Sequence, residues 1–272
     1  MTISIRHFGH WDRPMVGIHM AADGGARPRA RFLLCRPLGQ EAVRSSAVFR
    51  VAGERLSREG VESLRFDYHG TGDSPGDEGA QSLDDWVRDT LAAHEQLLGE
   101  GAGGGEPPVH WFGMGLGAVI ALRAALLAKH PPRHLVLWEP VFNGPGYLQA
   151  LIAGHKAELA MMFAQPWEQI AASGKVAEPT LPGDVLGFHF GERLVADLCA
   201  LPDLNVLPAL RRGLRITCAV RGDQPHPLAA HAGLSALKLH TVEHPTDWMS
   251  SQAMGTAIAP PDIPRVLLAT LD

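Results

Sequence analysis

Val109-His110-Trp111-Phe112-Gly113-Met114-Gly115-Leu116-Gly117-Ala118 joins two apolar runs of different length through a glycine-rich turn. Val109 to Phe112 is a short apolar run of strand type. Leu116 to Lys129 is a longer apolar run of helix length. Between them glycine stands at every second position, which allows a sharp turn and close packing of helix on strand. Two readings of this turn compete. A dinucleotide-binding loop would need the spacing G-x-G-x-x-G, whereas this turn is G-x-G-x-G. Glu139 does end the next strand, about where a ribose-binding carboxylate would sit. Against that reading, two strand–helix units precede the loop, so it is kept only for the glycines, and no cofactor is expected.

Working outward, the first 20 residues read as two short strands, Ile3 to Phe8 and Met15 to Met20, joined by a turn at His10 to Pro14. Further strands are expected at Arg31 to Cys35, Val61 to Phe66, His134 to Trp138, Arg215 to Val220 and Leu237 to Val242. Helices are expected from Ser45 and Ser46, as caps, to Arg58, from Ser82 to Leu98, and from Pro264 to Leu271. Strand and helix alternate, which predicts a mostly parallel, eight-stranded sheet with helices on both faces. The rhythm breaks after Pro140. Up to about residue 212 the chain offers helices and loops but no convincing strand, with Tyr147 to Phe163 and Gly191 to Leu201 as its helices. The expected division is a core of residues 1–140 and 213–272 with a helical lid insertion, 141–212, over the sheet's carboxyl edge, where ligands bind in such folds.

Hydrophobic residues make up 46% of the chain and charged ones 19%, which supplies enough apolar surface for one large core. The formal net charge of −5 gives no sign of the basic face that nucleic-acid binding requires, so no nucleic-acid partner is expected. The 14 histidines will move that charge between about pH 6 and 7. Cys35, Cys199 and Cys218 form no disulfide framework and have no zinc-ligand spacing, so no metal is expected. No leader-like segment and no apolar run of about 18 residues is visible, so the expectation is a cytoplasmic protein without membrane contact. Its expected partner is a small-molecule substrate or ligand. A homodimer is compatible with the sequence.

The second reading of the turn is a nucleophile elbow, G-x-S-x-G, of the α/β-hydrolase type. A D-x-x-G-x-G-x-S turn, Asp67 to Ser74, lies about 40 residues upstream. In the hydrolase order of nucleophile, acid and histidine, Asp223 follows the strand RITCAV and His244 follows LKLHTV. Pro37-Leu38-Gly39 falls where an oxyanion-hole amide is supplied, with Leu116 as the second amide. The stretches RPLGQEAVRSSAVFRVAGERLSREGVESLRFDYHGTGDS, HWFGMGLGAVIALRAALLAKH, LVLWEPVFNGPGYLQALIAGHKAEL, GDVLGFHFGERLVADL and DIPRVLLATL span most of residues 31–272. On these the chain resembles the α/β-hydrolase superfamily and, within it, the exosortase A system-associated hydrolases of type 2.

The resemblance implies the α/β-hydrolase fold, yet Gly115 stands at the serine position. Glycine tolerates the elbow backbone, but no hydroxyl remains to form an acyl-enzyme. Three readings stay open. Asp223 and His244 form a dyad that activates water or abstracts a substrate proton, with the Leu38 and Leu116 amides as oxyanion hole, acting on a small ester-like or thioester-like substrate. Another residue, with Cys35 the only nearby thiol, supplies the nucleophile. Or the site is catalytically dead and binds a ligand or partner. His226 and His231 are alternative bases to His244. Met114, His69, Met161 and Met162 are expected to line the pocket.

Overall fold

The computed structural model of the chain describes residues 2–25, 27–99, 106–222, 226–243, 246–250 and 259–271. Among them the strands are β1 (Ile3–His10), β2 (Arg13–Met20), β3 (Ala30–Cys35), β4 (Val61–Asp67), β5 (Val109–Met114), β6 (His134–Trp138), β7 (Gly183–Val185), β8 (Phe188–Phe190), β9 (Arg215–Arg221) and β10 (Leu237–Val242). The helices are α1 (Gly39–Arg44), α2 (Ser46–Arg58), α3 (Leu83–Leu98), α4 (Leu116–Leu127), α5 (Gly144–Phe163), α6 (Trp167–Ala172), α7 (Glu192–Cys199), α8 (Leu207–Arg211) and α9 (Asp262–Leu268).

Eight strands make one sheet in the order β1-β2-β4-β3-β5-β6-β9-β10. β4, β3, β5, β6, β9 and β10 are parallel, and β2 joins β4 antiparallel. The architecture is the α/β-hydrolase fold. The parallel strands are continuous apolar runs because both faces are covered. On one face Leu33, Trp111, Leu135 and Ile216 form a core with side chains of α3 and α4. On the other, Phe32, Phe112 and Val136 pack with side chains of α2 and α9.

Local sequence explains the element ends. Ser82 caps α3, its hydroxyl accepting a bond from the Asp85 amide at 3.2 Å. Ser45 does not cap α2 in that way. The short helix α1 runs straight into α2, the Ser45 amide donates to the Glu41 carbonyl, and the Ser45 hydroxyl is buried without a partner among the described residues.

Residues 141–212 contribute no described strand to the main sheet. They do contain a hairpin, β7–β8, which the sequence reading missed. The strands are three residues each, too short to show alternation, and turn through Leu186 and Gly187, both at positive φ. This segment touches α1, which follows β3. Gln40 Nε2 donates to the Leu186 carbonyl at 3.4 Å, and Arg44 Nη2 to Glu158 Oε1 at 3.1 Å.

The β5–α4 turn depends on close backbone approach. A Cβ on Gly117 would stand 2.1 Å from the Arg36 carbonyl oxygen, at the end of β3, and one on Gly113 would meet the Ala118 Cα at 2.6 Å. Helix α4 therefore lies against two strand ends with no room for a methyl group. Gly117→Ala should lower the stability by at least about 2 kcal/mol, because the neighbour is backbone and cannot swing away. Gly233→Ala, with open space around the added methyl, should stay within about 0.5 kcal/mol of the wild type. Urea denaturation of the two variants checks both.

Candidate active site

Gly115 is the residue between β5 and α4, at φ 56° and ψ −127°. A residue with a side chain is strained there. Its amide donates to the Trp138 carbonyl at 3.0 Å, and its carbonyl accepts from Ala118 and Val141. The turn is thus fixed from β6 as well as from its own helix. Leu116, the first residue of α4, has no intrahelical acceptor for its N–H. Leu38 stands at the N-cap of α1 in extended conformation, and Gly39 follows at φ 57°.

The Asp67 to Ser74 turn holds this end of β3 in place. The Arg36 guanidinium donates to Asp67 and, at 2.9 Å, to the Ala42 carbonyl of α1. The other Asp67 oxygen accepts from the Asp73 amide at 3.0 Å. Ser74 Oγ donates to the Asp67 carbonyl and accepts from the Val16 amide of β2. The motif is a polar knot that ties β2, β4 and α1 together.

α1 in turn carries Glu41 to the elbow. Both Glu41 carboxylate oxygens lie 3.4 Å from the point where a Cβ on residue 115 would stand, and the Pro37 Cβ lies 3.2 Å from it. Tyr147, in the first turns of α5, donates its hydroxyl to Glu41 Oε2 at 3.1 Å. Glu139, at the end of β6, holds a left-handed φ of 42°, unusual for a side chain of its size. Its carboxylate accepts from the Trp138 indole at 3.2 Å and lies 4.0 Å from Arg221 Nε at the end of β9. Burial raises the Glu41 carboxyl to about 7. The Tyr147 bond opposes that rise, and the Glu139 and Asp247 carboxylates add to it. Among the described residues no cation lies within salt-bridge distance of Glu41. A groove of about 670 Å³ runs along α5, past Ala150, Ala153, Gly154 and Ala157, and is lined as well by Arg221 and Asp247; Gly115, Glu41 and Tyr147 are not among its lining residues.

The expected residues fare differently. Asp223 and His244 lie outside the described residues. Their described neighbours Gly222 and Val242 are joined by an amide-to-carbonyl bond of 3.1 Å, so the ends of β9 and β10 adjoin. Met114 is buried and lines none of the described pockets. Strand alternation puts it on the same face as Phe112, in the core with Phe49, Trp138 and Trp248. His69 is a turn residue: its ring Nδ1 donates to the Pro14 carbonyl at 3.1 Å, and its amide donates to Asp89. Met161 borders the groove along α5, but Met162 is 75% exposed and points to solvent, because consecutive helix positions face different ways. Cys35 is fully buried, and burial pushes its thiol well above the ordinary value, which disfavours the reactive thiolate. His226 is committed locally: Nδ1 accepts from the Leu228 amide and Nε2 donates to the Cys218 carbonyl. Glu41 and Tyr147 were missed. The one available signal was an ionisable residue three positions beyond the expected oxyanion amide of Leu38.

Comparison with known proteins now bears on this geometry. Residues 26–182, more than half of the chain, match the family model described as serine aminopeptidase, S33. The chain belongs to the serine aminopeptidase S33 family. That match includes Glu41, Gly115 and Tyr147 and ends before Asp223 and His244. Among curated proteins none matches the chain. Solved structures of the α/β-hydrolase superfamily do. Est1E of Butyrivibrio proteoclasticus with bound ferulic acid is 14% identical with a TM-score of 0.60, over 97% of this chain and 98% of that one. A soluble variant of monoglyceride lipase from Saccharomyces cerevisiae, in complex with a substrate analogue, is 17% identical with a TM-score of 0.59, over 98% and 94%. Proline iminopeptidase of Mycobacterium smegmatis is 14% identical with a TM-score of 0.59, over 98% and 97%. At these identities the likeness establishes the fold of this S33-family chain and no substrate.

The raised Glu41 carboxyl makes a stability prediction. The folded state keeps the Glu41 proton up to about pH 7, whereas an unfolded glutamate releases it near 4.5. Between those values the folded state binds more protons, so this contribution is full below about pH 4.5 and is lost as pH rises through 7. Glu41→Gln should therefore be more stable than the wild type at pH 8, by about 1–3 kcal/mol after allowance for solvent screening of this half-buried side chain. The difference should shrink towards pH 4.5. Denaturant titrations at pH 4.5, 6 and 8 check it.

Proposed function

We propose that this S33-family protein is a hydrolase-like enzyme that cleaves a small, partly apolar ester or thioester without a serine nucleophile, with water attacking the carbonyl directly. The observation that carries this reading is the elbow itself: the left-handed backbone of a nucleophile position is kept at Gly115, while the space a side chain would enter faces a protonatable carboxylate. A half-buried carboxylate with no cation within salt-bridge distance among the described residues is what an active site retains and a purely structural turn does not need.

In this reading the Leu38 and Leu116 amides receive the carbonyl oxygen as it becomes an oxyanion. The water oxygen bonds to the carbonyl carbon, the carbon–oxygen or carbon–sulfur bond breaks, and the water proton ends on the leaving group by way of a base. Chain order assigns Asp223 and His244 to this site, the former orienting the latter. The groove along α5 takes the apolar part of the substrate, and residues 141–212 act as the lid above it. The exosortase-associated likeness, carried by LWEPVFNG and VLGFHFGERL, supplies no substrate.

A second reading, a catalytically silent protein that binds its ligand in the same groove, is favoured by the tight fit of Pro37 and Glu41 about the Cβ point of residue 115. Reactivity separates serine chemistry from both. A fluorophosphonate probe should leave the native protein unmodified, and stoichiometric labelling of a serine near the elbow would contradict the assignment of Gly115. Gly115→Ser should fold with a loss of about 1–3 kcal/mol from backbone strain. It should gain labelling if a histidine base faces the elbow. Turnover of a panel of short-chain aryl esters and acyl thioesters by the wild type supports the enzyme reading. Binding of the same compounds without turnover supports the second.

A further inference from the structure

Glu41 is a costly arrangement for a structural residue. Its carboxylate is close to two others, Glu139 from the end of β6 and Asp247 from the segment after β10, and burial further disfavours its charge. Tyr147 of α5 is its single hydrogen-bond donor among the described residues, and that bond goes to Oε2 alone. An ionised carboxylate has about four acceptor positions. A carboxylate kept only for stability would gain from a cation or from backbone amides, as Asp67 gains from Arg36 and the Asp73 amide. Glu41 has neither among the described residues. What it has is position. Both oxygens stand 3.4 Å from the point at which residue 115 would begin a side chain. A water displaced from that point towards the carboxylate by less than about one bond length comes within the reach expected of a general base, roughly 2.6–3.2 Å.

We propose that Glu41 is the general base of this site, taking the proton of the water that replaces the missing serine hydroxyl, and that Tyr147 is the positioning residue that fixes the carboxylate. The inference rests on the hydrolytic reading above and names the group that moves the proton in it. In the step, one water O–H bond breaks and its proton passes to Glu41. The water oxygen bonds to the acyl carbon, and the carbonyl electron pair moves to the oxygen held by Leu38 and Leu116. As that pair returns, the bond to the leaving alkoxide or thiolate breaks, and Glu41 returns the proton to it. Acid and alcohol or thiol are released and the carboxylate is restored, so atoms and charge balance. Oε2 is engaged by Tyr147, which leaves Oε1 as the oxygen that works. A group with a pKa of about 7 is suited to both halves of that cycle near neutral pH.

The experiment is the pH dependence of kcat/KM for wild type, Glu41→Gln, Tyr147→Phe and His244→Ala, on p-nitrophenyl acetate and butyrate and on acetyl and butyryl thioesters, with thermal melting of each. For the wild type we expect a rate that rises with pH through a midpoint near 7. Glu41→Gln, which keeps the shape of the side chain, should melt at or above the wild-type temperature and lose at least about 100-fold in rate. Tyr147→Phe removes the bond that favours the carboxylate, so its midpoint should move to higher pH while activity at the plateau survives. Turnover by the wild type with Glu41→Gln within ten-fold of it, and His244→Ala inactive, overturns Glu41 and leaves the hydrolytic reading standing with His244 as base. A loss in Glu41→Gln with an unmoved midpoint in Tyr147→Phe overturns the pairing of the two residues. Absence of wild-type turnover on every compound overturns the hydrolytic reading and this inference with it.

Discussion

The structure hangs on one contact: helix α4 lies so close to the end of β3 that the Gly117 backbone and the Arg36 carbonyl leave no space for a methyl group. That approach pins the first turn of α4 and holds Gly115 in a conformation a side chain would resist. Because Arg36 also bonds to Asp67 and to the Ala42 carbonyl, the same constraint sets where α1 starts. α1 then delivers Leu38 and Glu41 to the elbow. A packing limit between two backbones is thereby converted into the placement of an amide and a carboxylate.

Electrostatics at the elbow run against stability. Glu41 is raised by burial and by its acidic neighbours, with a tyrosine hydroxyl as its hydrogen-bond donor. Elsewhere in the fold comparable groups are compensated: Asp89 is gripped by Arg13 at 3.0 Å, and Arg44 meets Glu158 at 3.1 Å. The chain pairs these buried charges with an oppositely charged partner, whereas Glu41 has no cation within salt-bridge distance among the described residues. Tyr147, in the first turns of α5, bonds directly to the elbow carboxylate and so ties α5 to the β5–α4 turn.

Much of the fold was legible because the central strands are apolar on both faces and glycine marks the turn that matters. His134–Trp138 and Leu237–Val242 are strands over the residues the sequence indicates. What could not be read has physical causes. Hairpin β7–β8 has strands too short to carry a period. Met114 sits beside the elbow in sequence, yet alternation turns it into the opposite core. Glu41 and Tyr147 are 106 positions apart, and their contact exists only once α5 has docked. Asp223 and His244 were placed by chain order alone, and the described residues show only that the strands before them end side by side.

Direct attack by water passes through no covalent intermediate. The measurement that tests this most closely is rapid-quench intact mass spectrometry of the native protein during turnover of a slowly hydrolysed p-nitrophenyl ester. With glycine at the elbow and water as the attacking group, the protein mass should stay unchanged throughout, and nitrophenol release should be linear from the first turnover. A stoichiometric burst, together with a mass increase equal to the acyl group, would contradict the account and require a nucleophile elsewhere in the chain.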